Sequence, residues 1–265
     1  MSAERIEEIK KSITHWYALY EPGISKEDKE KGIDRHIQFE LSKDNQNIIR
    51  TTIKSLIDTL DIDGLKKYLD KYQLDKEIVK KIIINEHNIP SYTPLNHAVV
   101  TRSNSIEIMK VLLAFVDNSA INIGGHYRDT PLMTAIRYNN VDMVKYLLSI
   151  GADISIVDKW YTSQLVIAFK QENLNMEIVN YLLDAKANVN VEYDKYQERV
   201  RMRETPLIVV LQINNPDLVE SLLIYGLSQV AIRRDLEYLK EKYEKNGIHH
   251  NDAMEYLKIN TAKLH

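Results

Sequence analysis

The chain has 265 residues, of which 44 % are hydrophobic and 28 % charged, and it contains no cysteine. A net charge of −3 argues against a broad affinity for polyanions, and the lack of cysteine excludes disulfides, thiolate metal sites and cysteine nucleophiles. The sequence holds no run of 18 apolar residues, so we expect no membrane insertion. The first ten residues are too charged for a secretory signal, and none is expected.

Helical patterns precede the repetitive middle of the chain. Apolar residues at helical spacing predict an N-terminal helical segment over residues 1–44. Residues 45–72 carry an apolar face followed by a pattern that loosely matches the second helix of a repeat, and 75–85 adds a further helix. We interpret residues 45–90 as a degenerate first repeat plus this extra helix.

A short motif recurs four times between residues 91 and 227. Three copies read Thr-Pro-Leu and one reads Ser-Gln-Leu, and they begin at Thr93, Thr130, Ser163 and Thr205. An apolar stripe at helical spacing with paired leucines follows each copy, as in residues 141–148. Repetition at a short and nearly fixed period predicts stacked supersecondary units that bury their apolar faces against one another.

The residues of one copy predict two helices and the turns that end them. Thr130 is a good N-cap, and Pro131 fits the first helical position. A second helix follows over residues 141–148, and Gly151 supplies the positive φ that ends it. We expect the paired leucines of successive units to lie in the core; they are Leu112, Leu113, Leu147, Leu148, Leu182 and Leu183.

These segments resemble ankyrin repeats, whose unit is a β-turn finger followed by two antiparallel helices. The resemblance covers residues 91–227 and implies an all-α ankyrin-repeat solenoid with additional N- and C-terminal capping helices. The C-terminal helical cap is expected over residues 228–265. Arrays of this kind bind through an extended surface and rarely catalyse reactions.

The chain departs from the family pattern at several positions. The histidine that follows the leucine in the family motif is absent from all four copies, where Asn96, Met133, Val166 and Ile208 stand. Val116 and Lys186 replace the glycine that ends the second helix in two copies. We expect a lost cap or a side chain at a left-handed position to cost about 1 kcal/mol without changing the fold.

The resemblance implies that the fingers and the exposed side of the first helices form a concave binding face. Tyrosine, tryptophan and arginine, which are enriched at binding hot spots, recur in the fingers of this chain. The alternative for Trp160 and Tyr161 is that they pack between fingers as part of the core. We expect a partner protein to contact Tyr127, Arg128, Lys159, Trp160, Tyr161, Tyr196, Arg199 and Arg201.

The long loop over residues 192–204 carries four acidic and four basic side chains. This balance argues against a nucleic-acid footprint, because such a footprint needs an excess of positive charge. The alternation of its arginines favours a β-hairpin extension of the finger, in which residues 189–193 pair with residues 199–203.

Residues that carry chemistry are few in this sequence. His249 and His250 with Asp252 form the only cluster that resembles a metal site, and a solvated turn explains them more simply. Gly124 and Gly125 lack the strand and spacing of a phosphate-binding loop, and we interpret them as a flexible finger loop. We therefore expect no enzyme activity, no metal and no cofactor.

The sequence predicts a non-catalytic scaffold, expected to be monomeric, that binds another protein and no nucleic acid. The alternative is an enzyme or modifying effector whose active site is formed by the N-terminal helices against the repeats. Isoleucine, lysine and asparagine are abundant, and the resemblance extends the expectation to a host-directed effector of an intracellular bacterium or virus. The expected location is the cytoplasm, or a host cytoplasm into which the protein is delivered.

Overall fold

The computed structural model of the protein describes residues 25, 48–70, 83, 93–101, 105–125, 128–191, 204–244, 254–255 and 257–258. Across these residues the regular structure is entirely helical, which confirms the predicted all-α fold. The helices predicted within residues 1–44 and 75–85 fall almost wholly outside the described ranges, and the hairpin predicted over 189–203 does so from residue 192 onward. The domain boundaries therefore stay predictions.

Eleven α-helices follow one another within the longer described ranges, and residues 83, 254–255 and 257–258 are also helical. They are α1 (residues 48–58), α2 (Ile62–Asp70), α3 (Pro94–Val100), α4 (Ser105–Val116), α5 (Pro131–Arg137), α6 (Val141–Ser149), α7 (Gln164–Phe169), α8 (Met176–Asp184), α9 (Pro206–Gln212), α10 (Pro216–Ile224) and α11 (Gln229–Glu244). A short 3₁₀ helix, Asn118–Asn122, follows α4.

The helices stack in two layers. The inner layer contains α3, α5, α7 and α9, and each of them packs against the next one in the chain. The outer layer contains α2, α4, α6, α8 and α10. The first four of these pack in order, and each inner helix packs against the outer helix that follows it. Buried apolar side chains from all of these helices form one continuous core. This arrangement lets short helices bury faces that none of them could bury alone.

The four inner helices begin with the same cap. The hydroxyl oxygens of Thr93, Thr130, Ser163 and Thr205 accept a hydrogen bond from the backbone N–H three residues later, at 3.0, 3.3, 3.4 and 3.1 Å. Such a cap is worth about 1 kcal/mol because it satisfies an orphan amide of the first turn. The serine of the third copy therefore performs the same capping function as the threonines.

Three of the described turns between consecutive helices use a non-glycine residue with positive φ: Leu60, Asn139 and Asn214. Asn139 has φ 53°, and its N–H donates to the carbonyl three residues earlier at 3.1 Å, while the next N–H donates to the carbonyl five residues earlier at 2.9 Å. Leu60, between α1 and α2, has φ 56° and makes the same pair of bonds at 3.0 and 3.0 Å. The turn at Leu60 thus has the geometry of the turn at Asn139.

The outer helices end in a second positive-φ position. Gly151 and Gly226 have φ 91° and 90°, and Lys186 has φ 66° at the equivalent position. The expectation for Val116 is wrong: this residue is still helical, and Asp117 after it has φ 99°. The helix α4 continues further because Phe115 and Val116 are both buried in the core.

Five of the six leucines expected in the core are buried. Leu148 is the exception, since it is only half-buried and packs against the core from its edge. The corresponding residues of the neighbouring outer helices, Leu113 and Leu183, are 4 % and 1 % exposed, so the exposure of this position differs between repeats.

The helix α11 covers the last inner helix on the C-terminal side. It packs against α9, and its Asp235 carboxylate, which is 2 % exposed, accepts a hydrogen bond of 2.5 Å from the Thr205 hydroxyl. The Arg234 guanidinium lies 2.9 Å from the other oxygen of the same carboxylate. A buried charge needs such partners to offset its lost hydration.

Candidate functional site

The structure describes most of the second finger (residues 117–125 and 128–129), which precedes α5, and all of the third finger (residues 153–162), which precedes α7. Arg128 and Tyr161 occupy the same position in them, two residues before the N-cap of the inner helix. Their φ angles are 63° and 62°, in the left-handed region that costs a side-chain-bearing residue about 1 kcal/mol. The two tips therefore share one backbone geometry.

The tip of the third finger is closed by hydrogen bonds to Asp158. One carboxylate oxygen, Oδ1, accepts from the backbone N–H of Trp160 at 2.9 Å and from that of Thr162 at 2.8 Å. The backbone N–H of Tyr161 donates to the Asp158 carbonyl at 3.0 Å. The backbone of the tip is therefore fixed around a single side chain.

The aromatic side chains of this tip lie in solvent. Trp160 is 57 % exposed and Tyr161 is 38 % exposed, so the alternative that they pack between fingers is wrong. The Lys159 ammonium lies 4.4 Å from the centre of the Trp160 ring, a cation–π contact worth about 0.5–1 kcal/mol at an exposed site. The structure thus brings Lys159, Trp160 and Tyr161 together on one exposed surface.

The second finger places Arg128 in solvent on a tight turn. The Arg128 N–H donates to the Gly125 carbonyl at 3.0 Å, and the Gly125 N–H donates to the Asp129 carbonyl at 3.0 Å. A Cβ atom added at Gly124 would lie 2.5 Å from the Arg128 carbonyl oxygen. Gly124 therefore allows a close approach of the backbone within the finger loop.

An arginine that the sequence did not single out lies beneath these tips. Arg137 ends α5, and its Nη2 donates to Asp158 Oδ2 at 3.0 Å, while its Nε lies 3.2 Å from Asp129 Oδ2. The Asp158 side chain is 1 % exposed. One guanidinium thus joins the second finger to the third.

The next repeat contains a related ion pair. Lys170 follows its N-cap residue by the same seven positions as Arg137 does, and its ammonium lies 2.8 Å from Glu204 of the following finger. A basic residue seven positions after the N-cap, present in the second and third of the four copies, is the pattern in the sequence that could have indicated both contacts. The acidic partners lie 21 and 34 residues away, so sequence spacing alone does not pair them.

The carboxylate of Asp153, at the beginning of the third finger, is exposed and hydrogen-bonded. Its Oδ1 accepts from the hydroxyl and from the backbone N–H of Ser155, at 2.6 and 2.8 Å. These bonds favour the charged form. The Ser155 hydroxyl, followed by the Ser155 amide, therefore holds the pKa of Asp153 below its ordinary value.

Four of the expected contact residues, Tyr127, Tyr196, Arg199 and Arg201, lie outside the described residues, as do His249 and His250. Their place on the binding face stays a prediction. Within the described ranges no three histidine, aspartate or glutamate side chains are grouped to hold a metal ion. No helix in those ranges is long and apolar enough to cross a bilayer.

Known proteins share the repeats of this chain. The family model described as ankyrin repeats in three copies matches residues 71–158. A putative ankyrin repeat protein of fowlpox virus, FPV230, is 36 % identical over 78 residues, which are 29 % of this chain and 39 % of that protein. A second fowlpox protein of the same description, FPV031, is 27 % identical over 222 residues, which are 75 % of this chain and 60 % of that protein.

The human palmitoyltransferase ZDHHC17 is 25 % identical over 169 residues, which are 59 % of this chain and 26 % of that enzyme. The chain thus spans less than two thirds of each of these three relatives. The match of the family model, the similarity to other ankyrin repeat proteins and the repeated cap and turn geometry agree with the resemblance. The chain carries ankyrin repeats, which the family model matches over residues 71–158.

Proposed function

We propose that this protein is a non-catalytic scaffold that binds a partner protein through the finger side of its stack. Ankyrin repeats form protein–protein interaction modules, and the family is generally non-enzymatic. The observation that carries the proposal is the exposure of Trp160 and Tyr161 on a backbone fixed by Asp158. A large aromatic side chain on a rigid tip gives contact area at a small cost in conformational entropy.

The exposed charges of the two described tips support an acidic partner segment. Asp158 and Asp129 are buried and engaged by Arg137 beneath the tips, whereas Arg128 and Lys159 are exposed. An arginine at the surface can bind a carboxylate with two parallel hydrogen bonds. We therefore propose that the partner offers carboxylates next to an apolar group that covers Trp160.

The remaining expected contacts extend the proposed face on the basis of sequence. Tyr127 precedes Arg128, while Tyr196, Arg199 and Arg201 belong to the long loop before α9. We include them in the proposed binding face because they carry the same side-chain types as the third finger. A monomer that binds one partner along adjacent fingers is the simplest form of this proposal.

The similarity to fowlpox virus proteins supports a host-directed role. We propose that the partner is a protein of a host cell and that binding takes place in the host cytoplasm. The alternative, an active site formed by the N-terminal helices against the repeats, falls mainly outside the described residues and stays a prediction.

Affinity capture from host-cell extract with matched variants tests the proposal. Trp160→Ala removes the exposed ring of the third finger, and Ile224→Ala removes an apolar side chain that is 72 % exposed at the end of the outer helix α10. We expect Trp160→Ala to weaken the captured partner by at least about 30-fold, as for a hot spot of about 2 kcal/mol, and Ile224→Ala to leave it unchanged. The opposite pattern would move the binding face to the outer helices.

A further inference from the structure

The Asp158 carboxylate binds both the backbone of the third-finger tip and the side chain of Arg137. Asp158 Oδ1 accepts the two backbone N–H groups of the tip, and Oδ2 accepts from Arg137 Nη2 at 3.0 Å. Because both oxygens are in use, the guanidinium sets the rotation of the carboxylate and with it the direction of Oδ1. The side chain of an inner helix therefore reaches the aromatic tip through one intermediary.

Because Asp158 is buried, its carboxylate needs the contact with Arg137. The carboxylate is 1 % exposed, so water does not replace a lost partner, and an unpaired buried charge is strongly unfavourable. The backbone at Tyr161 is in the left-handed region, with φ 62°, and needs the surrounding hydrogen bonds to hold it there. Loss of the guanidinium would leave the carboxylate to turn towards solvent and release the tip.

An ion pair made from the same inner-helix position in the next repeat supplies a contrast. The Lys170 and Glu204 side chains are 47 % and 22 % exposed, compared with 33 % and 1 % for Arg137 and Asp158. An ion pair in contact with water contributes little. The lysine therefore serves as a matched control at the same position of the repeat.

We propose that Arg137 is a positioning residue that holds the tip of the third finger, with Trp160 and Tyr161, in its binding conformation. The inference rests on the proposed function in one respect only, namely that this conformation of the tip is the one that binds the partner. The positioning itself is a property of the free protein and is tested without a partner.

Trp160 can report on its own tip. The chain has two tryptophans, Trp16 and Trp160, so Trp16→Phe leaves Trp160 as the only one. In this background, time-resolved fluorescence anisotropy and acrylamide quenching are compared for Arg137→Ala, Arg137→Lys and Lys170→Ala. Circular dichroism of each variant shows whether the helices are intact.

We expect Arg137→Ala to raise the amplitude of the nanosecond anisotropy decay and the quenching constant by at least about twofold. Arg137→Lys should restore part of the change, since lysine returns the charge without the planar fork. Lys170→Ala should leave both values unchanged. An Arg137→Ala protein with intact helices and unchanged Trp160 anisotropy would overturn the proposal.

A second variant covers the case in which Arg137→Ala does not fold. Asp158→Asn keeps an oxygen for the tip amides and removes the charge that Arg137 binds. We expect faster hydrogen exchange at the Trp160 and Thr162 amides, by at least about tenfold, and protection equal to the wild type would refute the inference.

The capture experiment separates this inference from the proposed function. If Arg137→Ala loosens the tip but Trp160→Ala captures the partner as the wild type does, the positioning role of Arg137 stands. The finger is then rejected as the binding face. Capture that depends on Trp160, with a tip unaffected by Arg137→Ala, would keep the binding face and reject the positioning.

Discussion

The side chain of Asn96 joins one repeat to the next. Its Nδ2 donates a hydrogen bond of 2.8 Å to the backbone carbonyl of Asp129, from the inner helix α3 to the second finger. Asn96 stands where the family motif has histidine, and both residues are buried. A polar side chain at this position thus provides a bond between repeats that Met133, Val166 and Ile208 have no group to form.

We expect Asn96→Ala to destabilise the protein by about 0.5–1.5 kcal/mol, because it removes one of the two hydrogen bonds that the buried Asp129 carbonyl accepts, while the Gly125 N–H remains. Urea denaturation followed by circular dichroism measures the change. Asn180→Ala, at an exposed position of α8, is the control and should shift the free energy of unfolding by less than about 0.5 kcal/mol. Equal effects of the two substitutions would show that the bond between repeats contributes nothing.

The neighbouring leucines of α6 should differ in their contribution to stability. Leu147 is fully buried, and Leu147→Ala is expected to cost about 2–5 kcal/mol. Leu148 is half-buried, so Leu148→Ala should cost clearly less, since part of its surface is already in water. The two denaturant midpoints, measured at equal slope, check this order, and a larger loss at Leu148 would contradict the position of the apolar stripe.

Two substitutions test the backbone strain at the positive-φ positions that end the outer helices, one by adding a side chain and the other by removing one. Gly151→Ala introduces a Cβ into open space, so its expected cost of about 1 kcal/mol comes from the backbone at φ 91° alone. Lys186→Gly relieves a side chain at φ 66° and should stabilise the protein by up to about 1 kcal/mol. Thermal melts of both proteins give the signs, and a stabilising Gly151→Ala would contradict the assigned backbone conformation.

The contact between Ser155 and Asp153 predicts a small dependence of stability on pH. The pKa of Asp153 is lowered in the folded protein, so the contact contributes stability that is complete above the unfolded pKa of about 3.9 and is lost as pH falls through the folded pKa. Ser155→Ala should raise the pKa of Asp153 towards its ordinary value, as measured by NMR titration of the carboxyl carbon. Ser149→Ala, whose hydroxyl donates to the Tyr146 carbonyl, is the control, and an identical titration in all three proteins would exclude the effect.

The features that repeat along the chain were predictable from sequence. The N-caps, the inner and outer helices and the buried Leu147 follow from local spacing, because each depends on residues within one turn of helix. Contacts that join repeats were not predictable from sequence. The pairing of Arg137 with Asp158, for example, depends on how two stacked units face each other. The sequence also did not decide whether Trp160 is buried or exposed, since an aromatic residue in a finger fits either a core or a binding surface.

The hydroxyl of Thr205 accepts a hydrogen bond from Ile208 at the start of α9 and donates one to Asp235 of α11. One hydroxyl group therefore caps the inner helix of the last motif copy and also binds the helix α11 that covers it. A shortened protein that ends at residue 227 would lose this bond and expose to water the side of α9 that α11 covers. A fragment suited to binding studies accordingly extends past Glu244 to include Leu257, which is fully buried in the core, even though the repeat motif itself ends earlier.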